Sequence, residues 1–204
     1  MVECRQNQLP SWSEIMQQNS ETHTLDDIIA IFNGCFEKEF NTKLVKGGDE
    51  PIYIPAEHKT PGYDVLPYHT IYFARGFYSS ALHEISHWLV AGAERRKLED
   101  FGYWYEPDGR SPERQREFEK VEVKPQAIEW ILATAANFRY FASADNLNGN
   151  PGDIAPFKQA VYAQVKTYAE KGLPQRAEKL RRALSEFYGT EDGINLAKFD
   201  ISRI

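Results

Sequence analysis

Apolar positions recur along most of the chain at helical or strand spacing, and the intervals between these runs carry turn residues. Leu25, Ile28, Ile29, Phe32, Cys35, Phe36 and Phe40 repeat at the period of a helix with one buried face. Thr24 stands where a cap belongs, with Asp27 three residues on. "KGGDEP" then reads as a turn, and "IYIPA" and "TIYFA" as short strands of branched and aromatic residues. A second helix is expected over 79 to 97, with Leu82, Ile85, Leu89 and Val90 on its apolar face. Ser79 is its expected cap, Ser86 packs within it, and Arg95, Arg96 and Lys97 would meet its dipole in the last turn. "DFGYWY" fits a strand or an aromatic loop, and "EPDGRSPER" a turn-rich connection. A third helix is expected over 125 to 142, with Pro125 in its first turn, followed by the loop "SADNLNGNPGD". Two more helices follow, near 156–171 and 174–188, divided by Gly172 and Pro174. The final residues show no firm period.

The alternation of helical runs with two short strands predicts an α+β fold, mainly helical, with a small sheet. Residues 1–23 have no clear period and are expected to form a flexible arm, leaving 24–204 as a single domain. An apolar content of 42% supports a packed core over this length. The net charge of −6 gives no overall attraction to nucleic acid or to an anionic membrane. No apolar run reaches the length of a membrane span, and the first residues lack the apolar stretch of a secretory signal. Two cysteines, Cys4 and Cys35, are too few for a disulfide framework and fit reduced thiols in the cytoplasm.

One polar group of residues breaks the apolar pattern. "SALHEISHWLVAG" sets His83 and His87 four apart inside a helix, with Glu84 beside the first. Residues i and i+4 share a helix face, so the two imidazoles can converge on one cation. Imidazole suits zinc, iron, copper or nickel. Glu84 points to the rim of such a site, where zinc peptidases of this motif carry their general base. A third ligand is needed. "FEKVEVKPQAIEWILATA" offers Glu119, Glu122, Gln126 and Glu129, of which the last three share a stripe if the helix begins early. Glu122 is the first choice and Glu129 the second. His23 and His58 lie in polar stretches and are expected to be exposed, and His69 reads as a loop histidine before a strand. Serine chemistry, dinucleotide binding and phosphate loops have no matching motif.

Two histidines and a carboxylate serve two enzyme classes. With zinc they make a hydrolase, with Glu84 taking the proton of bound water. With ferrous iron they leave positions for dioxygen and a substrate. On the bare motif the zinc peptidase is favoured, but the surrounding residues change the balance. The blocks "EPIYIPA", "RGFYSSALHEISHWLVAGAERR", "DFGYWYEPDGR", "FEKVEVKPQA" and "DNLNG" resemble the elongation factor P hydroxylase family, over roughly residues 25 to 188. This resemblance implies oxygen-dependent hydroxylation of a lysine of translation elongation factor P that already carries a β-lysyl group. It implies metal ligands at His83, His87 and Glu122 in a zincin-like setting, with Fe(2+) ahead of zinc or another divalent metal. Glu84 would occupy the catalytic position of the peptidase motif. The partners implied are elongation factor P and dioxygen, with no nucleic acid and no membrane. The cationic substrate would suit an acidic rim, for which Asp100, Glu106, Asp108 and Asp145 are the candidates.

Overall fold

The computed structural model describes residues 23–100, 110–143 and 153–204. Helix α1, Leu25–Phe40, starts as expected: the Thr24 hydroxyl accepts the Asp27 N–H at 3.1 Å. Ile28, Phe32 and Phe36 turn inward, and Asn41 ends the helix in the left-handed region. Strand β1, Thr42–Lys46, follows at once. Its two lysines mask the alternation, so its sequence gives no strand signal of its own. Its register is set from outside, where Asn33 Oδ1 accepts the Leu44 N–H at 2.8 Å. β2, Ile52–Ile54, and β3, His69–Phe73, complete a three-stranded sheet in the order β1-β3-β2. β3 pairs parallel with β1 and antiparallel with β2.

Helix α2, Tyr78–Val90, carries the two histidines. It ends seven residues before the expected end at 97, and Arg95–Lys97 form a separate 3-10 turn. Ala91 is extended, and the terminal carbonyls are taken from a distance. Arg176 donates to the oxygens of Trp88, Leu89 and Ala91 at 3.0, 3.2 and 2.7 Å, and Arg96 to that of Ala91 at 2.6 Å. Cations do meet the helix C-terminus, as its dipole favours, but the principal one comes from another helix. Ser79 is not the cap: it lies exposed in the first turn, while Ser80 Oγ accepts the Ala74 N–H.

Helix α3 differs most from expectation. It spans Pro112–Ala135, starting 13 residues before the expected 125 and ending before 142. Ser111, inside the expected turn, is its cap. Pro125 lies in the helix interior, where proline is normally costly. The added turns are built from good helix formers and the i,i+3 pairs Arg116–Glu113 and Lys120–Glu117. α4, Ala155–Lys171, and α5, Gln175–Tyr188, fall within a residue of expectation, divided by Gly172 and Pro174.

A single buried cluster joins the sheet to all five helices, including Phe32, Ile71, Phe73, Leu82, Ile85, Ile128, Val161 and Leu180. The result is a mixed, mainly helical α+β architecture with a small sheet. Phe199, from the tail without a period, is buried against Trp130 at 5.2 Å. His23 is also buried, at 8% exposure, contrary to its polar sequence setting. Its Nε2 bonds the Ala136 carbonyl at 2.7 Å, and its ring stacks on Tyr188. No helix among the described residues is long and apolar enough to cross a membrane. "FGYWY" at 101–105 and most of the "SADNLNGNPGD" loop lie outside the described residues.

Candidate metal centre

α2 crosses α3 so that His83 and His87 face Glu122. The i, i+4 spacing brings the two Nε2 atoms to 3.0 Å. Glu122, 2% exposed, places one carboxylate oxygen 3.3 Å from His87 Nε2 and the other 3.8 Å from His83 Nε2. One ligand atom from each residue falls within 4.8 Å of the others. Donors around a tetrahedral or octahedral transition-metal ion, with bonds of about 2.1 Å, lie roughly 3.0–3.4 Å apart. The spacing suits such an ion after small side-chain rotations.

The hydrogen bonding points the same way. His83 Nδ1–H donates to Glu129 Oε2 at 2.8 Å. That bond fixes the tautomer, so in the neutral ring Nε2 carries a lone pair aimed at His87 and Glu122. This is the carboxylate–histidine arrangement that orients metal-bound imidazole. Glu129, the second choice for third ligand, sits on the opposite nitrogen of the ring, outside the group formed by His83, His87 and Glu122. Gln126 holds Glu122 in turn: its Nε2–H donates to Glu122 Oε2 at 3.3 Å and to the Ser143 carbonyl at 2.7 Å. Its Oε1 accepts from Tyr140 Oη–H at 2.8 Å. Glu122, Gln126 and Glu129 do share one buried stripe, because α3 begins early.

The charges are unbalanced. With neutral imidazoles, Glu84, Glu122 and Glu129 bring three negative charges to a half-buried space. Burial pushes the Glu122 carboxyl up, but the His87 and His83 rings and the Gln126 amide outweigh it and hold it at about 2. Burial lowers the His83 imidazole, yet Glu129, then Glu122 and Glu84, raise it well above its ordinary value. Burial raises the Glu84 carboxyl, against the pull of the two imidazoles. Of the three shifts, that of His83 reflects the surplus of carboxylates around it, a surplus that a divalent cation would offset.

His83, Glu84 and Glu129 open onto a cleft of about 780 Å³. Glu84 and His87 also line a second cavity of about 30 Å³, with Tyr53 and Trp88. The other expected residues lie apart from the centre. His69 Nδ1 accepts the Ala56 N–H at 2.9 Å from the first position of β3. His58 is exposed, as expected, and pairs with Glu99. Glu119 accepts from Gln115. Asp100 is held by Arg95 at 2.8 Å, and Glu106, Asp108 and Asp145 fall outside the described residues. Tyr140 and Arg176 had no sequence signal, since each acts through partners distant in the chain.

Two convergent imidazoles, a buried carboxylate and a cleft at their side form a group that could hold one metal ion, the donor set found in hydrolases and non-haem oxygenases. The model of the elongation factor P hydroxylase family matches residues 31–199, and the chain belongs to that family. It is similar to the elongation factor P lysine hydroxylase of Haemophilus influenzae, with 79% identity over 182 residues. The match covers 89% of this chain and 99% of that protein. The zinc-peptidase alternative gains no support, since the matched family and this relative are both named as hydroxylases.

Proposed function

We propose that the chain hydroxylates the β-lysylated lysine of elongation factor P, with dioxygen, at a metal held by His83, His87 and Glu122. The observation that carries this reading is the convergence of those three donors beside a cleft, in a chain of this family. A ferrous ion bound there would supply the dioxygen chemistry that no side chain possesses. The protein's own part is positional. Glu129 keeps the His83 ring in one tautomer, and Gln126, braced by Tyr140, keeps the Glu122 carboxylate turned toward the histidines. Glu84, in the cleft floor, is the acceptor for a bound water or a substrate ammonium. A cleft of this volume admits an extended lysyl arm. Its acidic floor suits the arm's positive charge. On this reading the HExxH helix would serve as a zincin-like frame, and a translation-factor substrate would be met in the cytoplasm.

The test is to weigh β-lysylated elongation factor P after incubation with the protein, ferrous iron, air and a two-electron reductant. A gain of one oxygen, absent with His83→Ala or His87→Ala, is expected. An unchanged mass with the iron-loaded wild type would sink the reading.

A further inference from the structure

The cleft reverses charge along its depth. Its floor holds His83 and Glu129, with side chains 21% and 11% exposed, and the half-buried Glu84. Its rim carries Phe77, 52% exposed, Phe141, 38% exposed, and the exposed Arg75 and Arg139. Arg139 lies 4.6 Å over the Phe141 ring and pairs with no carboxylate among the described residues. Arg75 is displayed at a conformational cost. It adopts φ 54°, in the left-handed region that side chains avoid, and Gly76 follows at φ 68°. A Cβ at Gly76 would lie 2.7 Å from the Lys46 side chain, so the turn is closely fitted. The one acid among the described rim residues, Asp49, is 95% exposed and 4.0 Å from Arg75, too solvated to cancel it.

A free cationic ligand would meet repulsion at such a mouth and attraction at such a floor. The pattern suits a cationic side chain standing out of an acidic, partly apolar protein surface. We infer that Arg75, Phe77, Arg139 and Phe141 form a docking collar for the folded protein that carries the substrate lysine. The carrier's surface beside that lysine supplies carboxylates to the two arginines and an apolar side chain to the two phenylalanines. This inference rests on the functional reading above but separates two roles, in which the floor positions the lysine and the collar selects the carrier.

Equilibrium binding of β-lysylated elongation factor P to the full chain, by titration calorimetry, tests this without turnover. Arg75→Glu combined with Arg139→Glu should weaken binding about tenfold or more. Asp49→Lys should tighten it, a change of sign that loss of fold does not produce. Phe77→Ser should weaken it a few-fold, and about 1 M salt should collapse the differences among the charge variants. Metal affinity, measured on each variant, reports whether the floor is intact. Equal affinity across the charge variants, or no binding by the wild type, overturns the collar. Oxygen transfer is scored separately: a protein that binds the carrier but adds no oxygen leaves the collar standing and removes the hydroxylase reading.

Discussion

Two clusters of ionisable groups among the described residues are built on opposite plans. On α5, the Arg181 side chain is 2% exposed. Its Nε and Nη2 donate to the two oxygens of Glu178 at 2.8 Å, and Nη2 also to Asp192 at 2.6 Å. Nη1 reaches Ser185 at 3.4 Å. Every partner lies within eleven residues, and the cation has its carboxylates in place. At the crossing of α2 and α3, three carboxylates and two imidazoles come together from segments up to 46 residues apart. There two ring nitrogens face each other at 3.0 Å, an arrangement that needs a proton or a cation between them. Burial of charge alone thus says little about function, since a self-satisfied pair is a structural device. Convergence with a surplus of one sign is what marks the second cluster as a site.

The sharpest way to break this contrast is to remove a donor. His87→Ala or Glu122→Ala should lower affinity for zinc or, anaerobically, for ferrous iron by more than about 100-fold, since loss of an outer partner alone costs up to that much. Titration calorimetry against a wild type binding one equivalent reads it, and retained affinity in either variant would remove the centre. Next in size is the linkage to stability. Metal at a hundred times its dissociation constant should stabilise the wild type by about 2.7 kcal/mol. For a chain of this length that is a rise of roughly 5–10 °C in Tm, reversed by a chelator and absent in His87→Ala. Glu129→Gln should cost less, about 10–100-fold in metal affinity. Its amide oxygen still accepts the His83 Nδ1–H but no longer carries the charge that favours a bound cation. A loss as large as that of Glu122→Ala would make Glu129 a direct ligand instead.

How far these clusters were visible beforehand depends on the range of the forces that build them. α1 was legible because its cap and its apolar period are both local. The His83–His87 pairing was legible for the same reason, as two potential donors one helical turn apart. The third ligand was not decided by spacing. Glu122 and Glu129 lie on one stripe, and only the fold shows that they address opposite sides of the His83 ring. Pro125 suggested a helix start, yet the capped, ion-paired turns from Ser111 carry α3 straight through it. The end of α2 depends on Arg176, more than 80 residues away, and the burial of His23 on Ala136, 113 residues away. No local pattern encodes either partnership. β1 was hidden because its neighbours in the sheet, rather than its own alternation, make it a strand.

The smallest effect tests the other side of the comparison. Glu178→Gln should lower stability by about 1–2 kcal/mol, discounted from the cost of breaking a fully buried pair because Glu178 is 33% exposed. Metal affinity should not change, because the Arg181 cluster shares no residue with the centre. The pH dependence supplies the sign. Hydrogen bonds from Arg181 lead the effects that hold the Glu178 carboxyl at about 2, against an ordinary 4.5. A carboxylate depressed on folding stabilises fully above its unfolded value and loses that contribution as pH falls through its folded one. Urea denaturation of the metal-free protein should therefore show a constant gap between wild type and Glu178→Gln above about pH 5. The gap should close progressively as pH falls through 4.5 toward 2. Metal-free protein is required, because acid also protonates the imidazoles and would add the loss of the bound cation to the curve. A gap that stays constant down to pH 2 would mean that Arg181 draws its neutralising charge from Asp192 alone, and that the α5 cluster is less self-contained than its geometry implies.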